Sequence, residues 1–165
     1  MNAKAIVYVS NTGFTTRYAA LLSAKLGLPA HPLAWALKEL PVGTPVIHMG
    51  WLMAGSVKDC RKAARRFDVR AVIGVGLGDT GAQDEQARRS CRLPANVPVF
   101  TVQGGMKQSE LQGPYRIAIR LLTKAMAAKK NPTPSEARMT ELLQSGGDFV
   151  SEKELAAVLA WAGKE

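Results

Sequence analysis

The stretch that decides the fold is Ala5-Ile-Val-Tyr-Val-Ser-Asn-Thr-Gly-Phe-Thr-Thr16, in which a short apolar run passes into a polar turn. The β-branched residues within the apolar run predict a buried strand. After the turn, Tyr18, Leu21 and Leu22 recur at helical spacing, which predicts an amphipathic helix. A strand that leads directly into a helix in this way is typical of α/β proteins.

The same alternation of strand and helix continues along the chain. Apolar runs predict further strands at 45–49, 70–77 and 97–102, and a weaker one at 29–33. Between two of these runs, Val57, Cys60, Ala64 and Phe67 recur at helical spacing. Parallel strands joined by helices require right-handed crossovers, which place helices on both faces of the sheet. We therefore expect a three-layer α/β fold with a parallel sheet.

The C-terminal third of the chain is predicted to be mainly helical. The spacing of Tyr115, Ala118, Leu122 and Met126 predicts one helix, and a second begins at the capping-box pattern Thr133-Pro-Ser-Glu136. A similar pattern, Ser151-Glu-Lys-Glu154, predicts the start of a third helix. We expect these helices to cover one face of the sheet.

Length and composition predict one domain, spanning residues 1–165, with a hydrophobic content of 47%. The two cysteines, Cys60 and Cys91, exclude a disulfide scaffold and a four-ligand zinc site. His31 and His48 show no metal-ligand spacing and are interpreted as structural. The uncharged stretch 40–57 is interrupted by prolines and glycines, so it does not predict a membrane span. We expect a cytoplasmic protein with reduced thiols.

The polar turn between the first strand and the first helix is the main candidate site. It offers hydroxyl and backbone N–H donors at the positive end of a helix, an arrangement that binds phosphate. The same residue types also cap helices without any ligand. The sequence leaves both interpretations open. A P-loop is excluded, because no GxxxxGK[ST] pattern occurs.

The turn Ser10-Asn11-Thr12-Gly13-Phe14-Thr15 resembles the first loop, S/T-x-T-G-x-T, of the flavodoxin-like FMN-binding proteins. Two later segments, Gly50-Trp51-Leu52-Met53-Ala54-Gly55 and Gly76-Leu77-Gly78-Asp79-Thr80-Gly81, are similar to the two loops that flank the flavin in that family. The tail resembles the flavodoxin-domain proteins grouped with menaquinone-dependent protoporphyrinogen dehydrogenase. The resemblance implies a flavodoxin-like fold with a five-stranded parallel sheet of order 2-1-3-4-5, and FMN as the cofactor.

This resemblance implies that the first loop holds the FMN phosphate and that the two later loops flank the ring. Trp51 is then the candidate for stacking on the ring, although it is equally a candidate for an aromatic buried under a loop. Thr80 cannot stack, so one face of the ring is expected to be open to a substrate. Asp79 is a candidate for contact with the flavin edge or for a proton relay, and otherwise for capping the next helix.

The function implied is that of an FMN-binding oxidoreductase or electron-transfer protein, with a quinone-linked dehydrogenase as the enzyme form. The alternative is a flavodoxin-type electron carrier or FMN-binding module that has no substrate of its own. A receiver-type signalling domain of the same fold would need acidic residues after the first strand, where Ser10 and Asn11 stand instead. No catalytic residue is assigned from the sequence.

The chain is basic, with a formal net charge of +9. Two segments concentrate this charge: 58–66, and a stripe formed by Arg116, Arg120 and Lys124. Neither segment contains a known nucleic-acid-binding motif with interleaved aromatic residues, which disfavours nucleic acid as the partner. The expected partners are a redox partner protein or a quinone-type small molecule, with peripheral contact to an anionic membrane surface. The alternative is that the basic residues only form a solvent-exposed face without a partner.

Overall fold

The structure of the protein, a computed structural model, describes residues 2–107 and 113–163. Its elements, in chain order, are β1 (Ala5–Val9), α1 (Phe14–Leu26), β2 (Ala30–Pro32), α2 (Leu33–Glu39), β3 (Pro45–Met53), β4 (Ser56–Val57), α3 (Cys60–Arg66), β5 (Asp68–Gly76), α4 (Asp84–Cys91), β6 (Val99–Gln103), β7 (Gly105–Met106), α5 (Gly113–Ala127), α6 (Pro134–Ser145), β8 (Gly147–Asp148), a 3₁₀ helix (Glu152–Leu155) and α7 (Ala156–Ala162).

The central sheet confirms the predicted α/β class. Its five main strands are parallel and lie in the order β2-β1-β3-β5-β6. This order differs in detail from the expected 2-1-3-4-5, because the short strand β4 was not predicted. β4 turns back from the end of β3 and pairs with it in the antiparallel direction. Each of the five predicted strand segments overlaps one of the parallel strands, although β3, β5 and β6 extend beyond the predicted bounds.

Helices pack on both faces of the sheet, because side chains alternate between the faces along each strand. Ile6 packs on the same face as α1 and α7, whereas its neighbour Val7 packs on the face covered by α2, α3 and α4. On the first face, Tyr18 and Leu22 of α1 are fully buried. The apolar spacing that predicts α1 is therefore the spacing of its buried side.

Tyr18 connects α1 to the carboxyl end of the sheet. Its hydroxyl donates a hydrogen bond of 2.5 Å to the carbonyl oxygen of Gln103, the last residue of β6. Burial raises the pKa of Tyr18 to about 12, so the hydroxyl remains protonated and can donate this bond at neutral pH. The start of α1 is thereby held close to the ends of the central strands.

The C-terminal helices are only partly arranged as expected. α7 covers a sheet face beside α1, but α5 and α6 do not. They pack against each other and against the two-stranded ribbon β7-β8, around the buried Met106 and Leu143. The ribbon leads the chain away from the sheet after β6 and returns it before α7. The capping box at Thr133 is confirmed, whereas Ser151 precedes a 3₁₀ helix without capping it.

The predicted inward face of α5 is wrong in part. Ile119 and Met126 pack inward, whereas Ala118 is exposed. Ile117 and Leu121 are each 64% exposed. The reason is that α5 packs on α6 and the ribbon rather than on the sheet, so only a narrow side of this helix is covered.

Cys60 and Cys91 are both buried, at the adjacent ends of α3 and α4. The hydrogen bond between the two thiols raises the pKa of Cys60, and burial adds to this effect. The same hydrogen bond lowers the pKa of Cys91. Both cysteines are therefore free thiols buried within the core on the sheet face that α3 and α4 cover.

Candidate functional site

A cavity of about 100 Å³ lies at the carboxyl ends of the central strands. Residues from three parts of the chain that are far apart in sequence form its wall: the turn after β1, the end of β3, and the end of β5. Residues that follow β6 complete it. The lining residues are Asn11, Thr12, Phe14, Thr15, Trp51, Leu52, Met53, Val75, Gly76, Leu77, Gly105, Met106 and Ile119.

The turn after β1 presents the uncapped start of α1 to this cavity. The N-cap residue is Gly13, in the left-handed conformation with φ of +86°, and no side chain in the described part of the chain caps the helix. The Ser10 hydroxyl accepts a hydrogen bond from the N–H of Gly13 instead. The capping interpretation of this turn is therefore wrong. The first backbone N–H groups of α1 remain available to an anion, and Thr12 and Thr15 lie beside them at the cavity.

Three cationic side chains lie beside two aromatic rings that line the cavity. The guanidinium of Arg17 lies 6.0 Å from the ring centroid of Phe14, and the Lys107 ammonium lies 5.9 Å from the same centroid. The ammonium of Lys58 lies 6.0 Å from the ring of Trp51. Among the described residues, none of those that line the cavity is acidic. Arg17 is ion-paired with Asp148, and the Lys58 ammonium lies 3.9 Å from the Asp59 carboxylate. The positive end of α1 is therefore the feature that favours a negatively charged ligand here.

The segment 50–55 is a β-hairpin rather than a loop. Gly50 to Met53 form the end of β3, and Ala54 and Gly55 form the two-residue turn into β4. Both turn residues have positive φ, +49° and +73°, as a type I′ hairpin turn requires. Because of this turn, Trp51, Leu52 and Met53 line the cavity from the last residues of a central strand.

The hairpin turn predicts opposite effects for its two residues. Ala54→Gly should raise the unfolding free energy by about 0.5–1 kcal/mol, because alanine is strained at positive φ and glycine is not. Gly55→Ala should lower it by about 1–2 kcal/mol for the same reason. Denaturant unfolding of both variants measures the two signs, and equal signs would contradict this account of the turn.

Phe14 is held rigidly at the edge of the cavity. A Cβ placed on Gly105 would lie 2.4 Å from the Phe14 ring, so the ring packs directly on that glycine. Phe14 is itself buried. The ring therefore closes one side of the cavity and fixes the first turn of α1 against β7.

Gly78, Asp79 and Thr80 lie outside this cavity. Gly78 and Asp79 line a neighbouring cavity of about 460 Å³, which shares only Leu77 with the first. The Asp79 carboxylate pairs with Arg138 of α6 at 3.4 Å, so it does not cap α4. The Thr80 hydroxyl donates to Glu154 and accepts from the N–H of Gln103, which connects β6 to the 3₁₀ helix.

Ser10 also faces away from the first cavity. It lines a third cavity, of about 400 Å³, together with Thr16, Asp59 and Lys62. The sequence did not reveal Gly105, Met106 and Ile119 as residues of the first cavity. The only local signal for them is the glycine pair, Gly104 and Gly105, directly after a strand, because such pairs mark places of close backbone approach.

No protein-family model matches this chain, and no curated protein matches it either. Within residues 2–107 and 113–163, no helix is long and apolar enough to cross a membrane.

Proposed function

We propose that the protein binds FMN at the 100 Å³ cavity and is an FMN-dependent electron-transfer protein or oxidoreductase with a flavodoxin-like fold. The observation that carries this proposal is the uncapped start of α1, which opens onto a cavity that Trp51 also lines. Phosphate and an aromatic ring system are the two features of FMN that such a pair of elements recognises.

The phosphate end of FMN fits the residues present. Two kinds of donor are present there: the first backbone N–H groups of α1, and the hydroxyls of Thr12 and Thr15. Gly13 has no heavy atom within 4 Å of its ideal Cβ position, so this glycine serves the backbone conformation and leaves the approach open. Hydrogen bonds to an ionised phosphate are stronger than neutral ones, so this end supplies much of the affinity.

The ring end fits only after a rearrangement. A cavity of 100 Å³ is smaller than the roughly 300–1,000 Å³ of ordinary small-molecule sites. Met106 and Ile119, both from the segment that follows β6, also line this cavity. The ring would fit if these two side chains withdrew and the space opened toward the 460 Å³ cavity, which shares Leu77 with the first. The apolar side chains of Leu52 and Leu77 then suit the apolar body of the ring.

Bound FMN would supply the electron transfer, and the chain would position and shield it. Trp51 would stack on one face of the ring, while Phe14 and Met53 would limit access of water at the rim. The enzyme form of the proposal takes a quinone-type or other small acceptor in the neighbouring cavity, where Arg138 and Asp79 form an exposed ion pair. A carrier without its own substrate would transfer electrons only to a partner protein.

Removing either threonine hydroxyl should weaken FMN binding. Thr12→Val and Thr15→Val keep the branched shape and delete one donor to a charged group, which lowers affinity about ten- to a hundredfold each. Thr16→Val is the matched control, because Thr16 lies in the same turn but lines the third cavity. Titration of the protein with FMN, followed by flavin fluorescence, measures the three affinities.

The same titration can overturn the proposal. If the native protein binds no FMN, or if Thr16→Val weakens binding as much as the other two variants, the phosphate site is not at this turn. If FMN binds but no quinone is reduced by the photoreduced protein, the carrier alternative replaces the enzyme form.

A further inference from the structure

Helix α5 has one apolar side that faces the protein and another that is exposed to solvent. Ile119 points inward, where it lines the first cavity. Ile117 and Leu121, one turn apart, point outward and are each 64% exposed. Leu122, at the margin of the outward side, is 46% exposed. Exposed aliphatic residues adjacent on one helix are costly in water, and such a patch commonly marks a surface that is covered in function.

A row of cations runs beside this outward apolar pair. Arg116, Arg120 and Lys124 recur every four residues along α5, and all three are exposed. None of them forms an ion pair or hydrogen bond with any residue in the described part of the chain. The helix itself contains no acidic residue. Like charges at this spacing repel each other, so an anionic partner would stabilise the row.

The basic segment 58–66 differs from α5 because two of its arginines bond to backbone carbonyls of other segments. Arg61 donates to the backbone carbonyl of Ser90, at 3.0 Å from Nη2. Arg66 donates to the carbonyl of Leu40 at 2.9 Å. These two guanidinium groups hold α3 against neighbouring segments and are not wholly available to a partner. We therefore assign the partner surface to α5 alone and not to both basic segments.

We propose that α5 lies in the interface of an anionic lipid bilayer, with Ile117 and Leu121 inserted among the acyl chains and the row Arg116, Arg120 and Lys124 against the headgroups. A helix that combines an apolar side with basic residues beside it has the character of an interfacial helix. A nucleic acid would neutralise the cations but would leave the aliphatic pair in water. A lipid surface uses both features, and each cation near an anionic leaflet adds to the attraction.

This contact would place the first cavity close to the lipid. Ile119, on the opposite side of α5, lines that cavity, and a helix with its side chains is only about 10 Å across. An apolar reactant dissolved in the bilayer would then lie near the proposed flavin site. This last consequence rests on the proposed function, whereas the membrane contact itself does not require FMN.

Sedimentation with lipid vesicles tests the contact on the protein without added FMN. The protein should sediment with vesicles of phosphatidylcholine and phosphatidylglycerol, and not with phosphatidylcholine alone. Changing both Ile117 and Leu121 to Ser should lower the partition coefficient at least about tenfold, through lost apolar burial. The triple change Arg116→Gln, Arg120→Gln and Lys124→Gln should lower it about a hundredfold.

Matched controls distinguish vesicle binding through α5 from non-specific hydrophobic adsorption and from an effect of net charge. Val42→Ser removes an exposed apolar side chain, 71% exposed, from a turn elsewhere. Changing Lys38, Arg65 and Arg89 together to Gln removes three exposed charges from other helices. Both controls should retain at least about half of the native binding. The proposal is overturned if the control variants reduce binding as much as the α5 variants do, or if the native protein does not sediment with anionic vesicles. Dimerisation abolished by the Ile117 and Leu121 changes would overturn it in favour of a second copy of the chain.

Discussion

Acidification from neutral pH to about pH 4 should cost the protein about 3 kcal/mol of unfolding free energy through His48 alone. His48 is completely buried in β3, and burial lowers the pKa of its imidazole from 6.5 to about 4. Between these two values the unfolded chain binds a proton that the folded protein does not. The contribution of His48 is therefore fully present above pH 6.5 and is lost as the pH falls toward 4.

The hydrogen bonding of His48 shows why the neutral form is required. Its Nε2 lies 2.9 Å from the carbonyl oxygen of Lys58, which can only accept, so Nε2 carries the proton. Nδ1 is buried without a partner in the described part of the chain. A second proton would charge the ring at a site that offers Nδ1 no acceptor. The interpretation of His48 as a structural histidine is thus confirmed, but one of its nitrogens is unsatisfied.

Urea denaturation between pH 5 and pH 7 measures this dependence. His48→Met, which does not titrate, should flatten the dependence of stability on pH in that range. His31→Asn is the matched control, because His31 stacks on Trp35 at the edge of the sheet and is only partly buried. If His31→Asn flattens the curve and His48→Met does not, His48 is not the group responsible.

Gly50→Ala should destabilise the fold by about 2–3 kcal/mol. An ideal Cβ on Gly50 would lie 2.6 Å from the carbonyl oxygen of Lys58 and 2.9 Å from Cγ1 of Val57. The first of these is a backbone atom that cannot rotate away. The hairpin after β3 must therefore shift outward, which also moves the carbonyl that His48 uses.

Gly78→Ala is the matched control for this change. Its added Cβ would meet only the flexible side chain of Gln83, at 3.6 Å or more, so we expect little change in stability. Because Gly50 and His48 both act through the carbonyl of Lys58, their effects should not add. The double variant Gly50→Ala with His48→Met should lose less stability than the sum of the two single changes. Strict additivity, or a Gly50→Ala variant of native stability, would contradict the packing of this hairpin.

The strands and the helices that cover the sheet could be predicted from local pattern. Residues such as Ile6, Val7, Tyr18 and Leu22 are apolar at strand or helix spacing, and the structure buries them as that spacing requires. Burial of one face is a local property of each element, so periodicity reveals it. The polar turn at 10–15 was likewise visible, because strand, glycine and threonines are contiguous in the chain.

The role of that turn could not be decided from its residues alone. Ser, Thr and Asn cap helices and bind phosphate with the same atoms, and only the conformation of Gly13 shows that α1 is left uncapped. The hairpin turn at Ala54 and Gly55 is not recognisable from the sequence, because it lacks the usual Asn-Gly or Asp-Gly pair. Its position depends on the close approach of Lys58 to Gly50, a contact between backbone atoms.

The α/β class, the parallel strands and the turn after β1 can be predicted from local sequence, since they follow from spacing and residue type within single segments. The surroundings of that turn depend instead on how distant segments pack. Met106 and Ile119 reach the cavity because α5 and α6 leave the sheet after β6, and Asp79 is drawn away from it by Arg138 on α6. These are contacts between segments distant in the chain, and no local pattern specifies which distant surface a helix will cover.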